Sequence, residues 1–269
     1  MSTAVSTPAP AATTAAARRT AGIPLSRVTS TELRKMFDTR SGFWLMASIG
    51  ILALLATAAV VVFAPDEELT YNSFGAAVGI PMTIILPIVA LLSVTSEWSQ
   101  RSGLTTFTLV PHRGRVIAAK AICSVGVGVA GIVLALAVGA LGNLVGSAIA
   151  GVDPVWNVST AALANLVLGN VLNLLIGFML GVLFRSSAAA IVGYFVYSFV
   201  LPTLSMLLAS SQEWFRDIQL WVDFNFAQAA LFEGTLTSEQ WAQLGVTGVV
   251  WLALPILVGV RLVMRSEVK

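Results

Sequence analysis

Six long apolar stretches constrain what this chain of 269 residues can fold into. A helix needs about 20 mostly apolar residues to cross the hydrocarbon core of a bilayer. Charged residues make up only 10% of the chain, and its mean hydropathy is +0.88, which excludes a water-soluble domain of this size. We therefore predict an all-α polytopic membrane protein with six transmembrane helices. The predicted spans are residues 43–63, 74–95, 116–150, 159–184, 187–210 and 241–264.

The remaining segments divide the chain further. Residues 1–24 are rich in Ala, Thr, Ser and Pro, which predicts a disordered N-terminal tail. Residues 25–42 carry apolar residues with a helical period and basic residues opposite them, which predicts an amphipathic helix at the cytoplasmic membrane interface. Thr29 and Glu32 have the spacing of a capping box for its first turn. Residues 43–264 form the six-span domain, and residues 265–269 form the cytoplasmic C-terminal end.

Two local features refine the spans. Pro81 and Pro87 lie inside the second span, where each removes a backbone donor, so we expect a kink there. The fourth and fifth spans are separated only by Arg185 and its neighbours, which predicts a tight helical hairpin.

The basic residues predict the orientation of the spans. Of the 15 Lys and Arg residues, 14 precede span one, lie between spans two and three or four and five, or come at the end of span six. Only Arg216 falls on the other side, beside nine acidic residues. Because positively charged loops stay in the cytoplasm, we predict a multi-pass protein of the plasma membrane with both termini cytoplasmic.

Several classes of function are disfavoured by missing residue types. No Asp, Glu, Lys, Arg or His falls in the middle of a predicted span, so a proton relay has no obvious carrier. None of the three lysines follows a glycine, which excludes the usual phosphate-binding loop of an ATPase. With His112 and Cys123 as the only residues of their types, the usual zinc ligand sets cannot be assembled. We predict that the chain is not an enzyme and holds no metal.

The loop between spans two and three carries the most informative pattern. A Glu leaves span two, a short Gly/Ser/Thr segment follows, and Pro-x-Arg-x-x-Val and a Lys lead into span three. This order resembles the permeases of the type-2 ATP-binding-cassette family, particularly the bacterial efflux and antibiotic-resistance branch. The matching residues are Glu97, Ser102, Gly103, Thr105, Thr106, Pro111, Arg113, Arg115 and Lys120, with Glu32, Leu33, Arg34, Lys35 and Arg40 before span one.

The resemblance implies a six-span half-transporter driven by a separate ATPase subunit, which binds ATP and Mg, while this chain binds no cofactor. It also implies a second permease copy or a similar chain as partner, and a hydrophobic or amphipathic cargo such as a drug, antibiotic, peptide or lipid. A cytoplasmic coupling helix would lie at about residues 97–110 and dock on the ATPase. The residues expected at this docking surface are Glu97, Trp98, Arg101, Leu104, Thr105 and Phe107, with Arg34 and Lys35 from the interfacial helix.

Some roles in this region stay open. Glu97 and Arg101 are four residues apart and could pair with each other. The alternative to docking is that the basic residues near Pro111, namely Arg113, Arg115 and Lys120, only fix topology and bind lipid headgroups.

The last third of the chain gives weaker signals. Residues 211–240 are too acidic to span but hold six Trp and Phe residues, which predicts a segment at the outer interface with aromatic side chains at headgroup depth. The family resemblance implies short outer helices here, before the last span, that close the external end. The alternative is an aromatic belt with no gating role. Asn165, Asn170 and Asn173 lie in span four and are expected to bond neighbouring helices or, as the alternative, to line a path. Two Gly-x-x-x-Gly pairs, at 142/146 and 177/181, suggest close helix contacts.

Two other functions remain open on the sequence alone. One is an ATP-independent secondary carrier, which would show an internal repeat or discontinuous helices in matching positions. The other is a membrane-embedded assembly or signalling partner that transports nothing.

Overall fold

A computed structural model describes residues 24–99 and 113–265 of the chain. Within these ranges the protein has nine helices and no strand, which confirms the all-α prediction. The helices are α1 (Leu25–Asp38), α2 (Arg40–Phe63), α3 (Tyr71–Ser99), α4 (Arg113–Ala150), α5 (Thr160–Phe184), α6 (Ser187–Ser211), α7 (Glu213–Val222), α8 (Phe224–Glu233) and α9 (Ser238–Arg265).

Six of the helices are long and apolar enough to cross a membrane: α2, α3, α4, α5, α6 and α9. They match the six predicted spans, and the chain is a multi-pass membrane protein. The helices are a few residues longer than the apolar stretches. Helix α3, for example, begins at Tyr71 and ends at Ser99, because polar residues at headgroup depth continue its backbone hydrogen bonds. The 38 residues of α4 make a helix of about 57 Å, which exceeds the hydrocarbon core, as its length predicted.

The two ends of the bundle differ in composition. At the end that we call the basic end, α1 packs beside the end of α3 and the start of α4. At the opposite end, the acidic end, the short helices α7 and α8 precede α9, as predicted for residues 211–240. There the N–H of Tyr71 donates to the carbonyl of Val155 over 3.0 Å, which ties the start of α3 to the segment before α5.

The centre of the bundle is formed by α3 and α5. In the most apolar window of α5, 56% of the residues are buried, against 17% in α2, α6 and α9. A Cβ atom at Gly177 would overlap the backbone of Pro87, and one at Gly181 would lie 3.0 Å from the carbonyl oxygen of Leu91. The glycines of α5 therefore let the two helices approach closely, as the Gly-x-x-x-Gly spacing predicted.

The second glycine pair acts in the same way. A Cβ at Gly142 of α4 would overlap the methyl group of Thr57, and one at Gly146 would lie 3.3 Å from the ring of Phe74. Phe74 is fully buried at this contact. Both pairs thus mark places where a bulky neighbour or a backbone occupies the space that a side chain would need.

A short reversal joins α5 to α6. Arg185 ends α5 with a φ of 54°, the left-handed conformation that commonly closes a helix. The Ser186 side chain then accepts from the N–H of Ala189 and caps α6. These contacts confirm the predicted tight hairpin.

Proline shapes three of the spans. Helix α3 runs unbroken through Pro81 and Pro87. In α6 a wide π turn at Val196–Val200 precedes Pro202, and in α9 a second one at Val249–Ala253 precedes Pro255. The rings of Tyr197 and Trp251, one from each π turn, lie 6.0 Å apart. A π turn widens the backbone locally, so each helix continues although its proline lacks a donor.

Candidate functional site

Helix α1 lies against α4 at the basic end. Val28 is buried with Val116 and Ala119, and the thiol of Cys123 donates to the carbonyl of Thr29 over 3.3 Å. Two other apolar residues of the helix lie on the outside of the protein: Leu33 is 41% and Phe37 is 46% exposed. The amphipathic helix is thus anchored to the bundle by one side and leaves an apolar side uncovered.

The predicted capping box of α1 is wrong. The helix begins at Leu25 after Pro24 with no side-chain cap, and the Thr29 hydroxyl donates to the Leu25 carbonyl within the helix. Glu32 turns into the bundle instead, where its side chain meets two lysines. The helix starts one turn earlier than the motif implies because Pro24 has the extended backbone of an N-cap.

Four charged side chains meet where α1, α3 and α4 touch, and we call them the ion cluster: Glu32, Lys35, Glu97 and Lys120. Lys120 Nζ lies 2.6 Å from Glu32 Oε2 and 3.4 Å from Glu97 Oε1. Lys35 Nζ lies 2.7 Å from Glu32 Oε1 and 3.2 Å from Glu97 Oε1. Each ammonium group therefore bridges both carboxylates.

Three of the four side chains of the ion cluster are shielded from solvent. Glu32, Glu97 and Lys120 are 4%, 3% and 5% exposed, whereas the Lys35 side chain is 44% exposed. Lys120 also donates to the Ser93 carbonyl over 2.9 Å. Two positive and two negative charges cancel, which is the condition under which buried charges persist.

The surroundings shift the pKa of both members on α1. Burial alone would raise the pKa of Glu32, but attraction to Lys120 and hydrogen bonds from both lysines outweigh it and hold that pKa below its ordinary value. Burial alone would lower the pKa of Lys35, but its bonds and attraction to Glu32 and Glu97 raise that pKa above its ordinary value. Both groups therefore stay charged over a wide range of pH.

Glu97 has one unused oxygen. Its Oε1 is shared by the two lysines, but its Oε2 is buried and has no hydrogen-bond partner among the described residues. Among the described residues Glu97 pairs with the two lysines. Its pairing with Arg101 stays a prediction, because Arg101 lies outside the described residues.

The structure places the other predicted site residues as follows. Trp98 is partly buried and packs on the central apolar cluster, and Arg34 is exposed on α1. Arg115 is exposed near the start of α4, which Arg113 begins. Arg101, Leu104, Thr105, Phe107 and Pro111 lie outside the described residues, as does most of the predicted coupling helix.

Lys120 needs a correction. The sequence placed it in the motif that resembles the family, with fixing topology and binding lipid headgroups as the alternative, but its ammonium group is buried between two carboxylates. Glu32 was not expected to meet it, since 88 residues separate the two. The signal was available in part, because a lone lysine inside an apolar stretch needs a partner of opposite charge.

The asparagines of span four fall into two groups. Asn173 donates to the Thr83 carbonyl of α3 over 2.7 Å, and Asn165 donates to the Gly234 carbonyl after α8. Within the part of the chain that the structure describes, Asn170 donates only in its own helix, to Leu166. The prediction of interhelical bonding is confirmed for Asn165 and Asn173 and is wrong for Asn170.

The partner of Asn173 explains how α3 tolerates a proline. Pro87 has no N–H, so the carbonyl of Thr83, one turn earlier, loses its usual helical donor. Asn173 of α5 and the Tyr194 hydroxyl of α6 both donate to that carbonyl. The polar side chains thus satisfy a backbone group that the proline left open.

We expect the two donors to Thr83 to back each other up. Asn173→Ala and Tyr194→Phe should each cost about 0.6–1.7 kcal/mol, the range for hydrogen bonds between membrane helices. The double variant should cost more than the sum, because a buried carbonyl then has no donor. Thermal unfolding of the wild type, both single variants and the double variant in detergent measures these costs. If the cost of the double variant equalled the sum of the two single costs, the expectation would be contradicted.

The pKa of Glu32 predicts acid sensitivity. Because its pKa is lowered in the folded protein, its stabilisation is present above the ordinary glutamate pKa, about 4.3, and is lost as pH falls through the lower folded value. Glu32→Gln should therefore flatten the acid limb of a melting-temperature profile. The control is Glu213→Gln, whose side chain is 91% exposed and whose loss should leave the slope of the profile as in the wild type.

The ion cluster has the character of a structural clamp. Within the described ranges, no three His, Cys, Asp or Glu side chains come together in a way that could hold a metal ion.

Comparison with known proteins finds no family model that matches the chain and no curated protein that matches it.

Proposed function

We propose that this chain is the membrane subunit of an ATP-driven exporter of the type-2 ATP-binding-cassette class in the plasma membrane. Its basic end and both termini lie in the cytoplasm, an orientation supported by the 14 of 15 basic residues on that side. A separate ATPase subunit binds ATP and Mg, and this chain makes and breaks no covalent bond. Two copies, or this chain and a similar one, enclose the path.

One observation carries the proposal. The ion cluster joins α1, the end of α3 and the start of α4. Helices α3 and α4 flank residues 100–112 in the chain, and α1 packs beside both of them. Four charges with mutual contacts hold these elements as one unit. A soluble subunit that grips residues 100–112 would therefore act on flanking helices that are held together as one unit.

The core passes that movement into the spans. Helix α3 leads out of the ion cluster and packs along α5 through the glycine contacts at Pro87 and Leu91. Closure of the ATPase subunits displaces the basic end of α3, and α5 follows because the two helices are in backbone contact. The bundle then changes between two packed arrangements, one open to each side of the membrane.

The composition of the spans favours the class of cargo. Since the middle of every span lacks Asp, Glu, Lys, Arg and His, the path suits a hydrophobic or amphipathic molecule such as a drug, antibiotic, peptide or lipid. The same absence disfavours a carrier driven by protons.

The structure dictates which residue can test docking. Glu97→Arg would place a cation beside the buried Lys120 and the half-exposed Lys35 and damage the fold itself. Arg34 is exposed on α1, so Arg34→Glu changes the docking surface alone. We expect it to weaken binding of the proposed ATPase subunit roughly threefold to tenfold, the range for losing and then reversing an exposed ion pair.

The assay uses vesicles that hold the chain and this ATPase, with ATP-dependent movement of a fluorescent short-chain phospholipid and of a hydrophobic dye as readouts. Arg216→Glu, the same exchange at the acidic end of the bundle, is the matched control and should behave as the wild type. Cargo accumulation by the purified chain alone, driven only by an ion gradient, would overturn the proposal.

A further inference from the structure

A groove opens between α3 and α5 toward the acidic end. It has a volume of about 310 Å³, and the residues that define this α3–α5 groove for the argument are Tyr71, Asn72, Gly75, Gly79, Leu166 and Phe232. Thr83 lies at its inner limit along α3. From Asn72 to Thr83 a helix rises about 16 Å, about the depth of one leaflet of the hydrocarbon core.

The glycines on its wall do not serve helix packing. Gly75 and Gly79 repeat the spacing of the pairs in α4 and α5, but a Cβ atom at either would meet nothing within 4 Å. The pairs at 142/146 and 177/181 are filled by a neighbouring helix, as described above. The face of α3 at Gly75 and Gly79 therefore borders open space within the fold.

The lining decides what could fill this space. Of the described residues that line the groove, none has a carboxylate, ammonium or guanidinium group, which disfavours a charged occupant. Polar side chains cluster at its outer end, where Tyr71 and Asn72 lie, and the rest is mainly apolar. Such a groove suits an apolar chain with an uncharged head group that forms hydrogen bonds at headgroup depth.

The groove is open to the bilayer. Ile80 lines it and is 68% exposed, and Phe232 of α8 lines it and is 46% exposed. The ring of Phe232 also lies against Gly169 of α5. A molecule dissolved in the leaflet at the acidic end can therefore enter sideways, past Ile80 and under Phe232.

We propose that the α3–α5 groove binds a single hydrocarbon chain with an uncharged, hydrogen-bonding head group, taken from the leaflet at the acidic end. The head group lies beside Tyr71 and Asn72, and the chain runs along Gly75 and Gly79 toward Thr83. The site belongs to one copy of the chain and needs no ATPase, so it stands or falls separately from the proposed transport.

The test is photolabelling of the full chain in phosphatidylcholine vesicles with a diazirine-bearing hexadecanol. Gly79→Leu and Gly75→Leu place a side chain in the open space, so both should lower labelling of the fragment with residues 71–83 about tenfold, as expected when leucine takes the volume that the ligand needs. Gly126→Leu is the control, because its Cβ also meets nothing within 4 Å and it lies outside the groove.

A second probe identifies the source of the chain. A phosphatidylcholine with a diazirine in its acyl chain distinguishes a bilayer lipid from a free alcohol, and protection of the same fragment by unlabelled hexadecanol supports the free molecule. Labelling by the phospholipid alone, or failure of unlabelled hexadecanol to compete, would overturn the assignment to an uncharged head group. Equal labelling of residues 71–83 in folded Gly79→Leu, Gly75→Leu and Gly126→Leu proteins would overturn the site itself.

Discussion

Lys120→Met is expected to be the most damaging single substitution at the basic end. It leaves Glu32 and Glu97, which are 4% and 3% exposed, with only the half-exposed Lys35 to balance them. Removing one partner of a buried ion pair costs about 3–5 kcal/mol, because the remaining charge is buried without compensation. Size-exclusion chromatography after heating in detergent should show the loss of folded protein at a clearly lower temperature.

The matched control is an ion pair at the other end of the bundle. Arg216 lies 3.4 Å from Glu213, but their side chains are 57% and 91% exposed. Arg216→Met should leave the melting temperature near that of the wild type, as is usual for exposed pairs. If Lys120→Met were as mild as Arg216→Met, the ion cluster would contribute little to the fold.

Gly177→Ala is expected to separate the two central helices. Its Cβ would overlap the backbone of Pro87, and a backbone cannot move aside as a flexible side chain can. Overpacking of a tight core costs about 1–3 kcal/mol, and here the strain falls where α3 and α5 form the centre of the bundle. Unfolding in detergent and the yield of monodisperse protein measure the loss, and Gly177→Val should give a larger one.

Gly126→Ala serves as its counterpart. This glycine also lies far from the ends of a long span, α4, but its Cβ would meet nothing within 4 Å. Alanine is the better helix former, so the variant should be as stable as the wild type or slightly more stable. Equal losses at both positions would mean that helix propensity, and not the contact with Pro87, governs the result.

The spans could be predicted because a bilayer imposes a simple rule. Each stretch of about 20 apolar residues must become a helix, and this rule needs no knowledge of neighbours. The hairpin at Arg185 follows from the same reasoning, since few residues separate its two spans. The acidic residues of 211–240 exclude a span there, but the short helices α7 and α8 were expected only from the family resemblance. The helix ends were less predictable, as at Tyr71 and Ser238, because polar residues extend a helix without adding to its apolar length.

The ion cluster could not be predicted, because it depends on which helices become neighbours. Glu32 and Lys35 are one turn apart, but Glu97 is 62 residues from Lys35, and Lys120 is 88 from Glu32. Composition and periodicity describe each helix alone and contain no pairing across the bundle. The same applies to Asn173, whose partner became available only because Pro87 removed a donor from another helix.

The order of the ion cluster along the chain has a consequence for biosynthesis. Glu32 and Glu97 leave the ribosome before Lys120 does, so both carboxylates are already at the membrane surface when the third span reaches the translocon. Lys120 lies near the start of α4, and both carboxylates that pair with it precede it along the chain. Helix α1 thus has a task before the protein is complete: a nascent chain that lacks it must insert α4 with half of the negative charge missing.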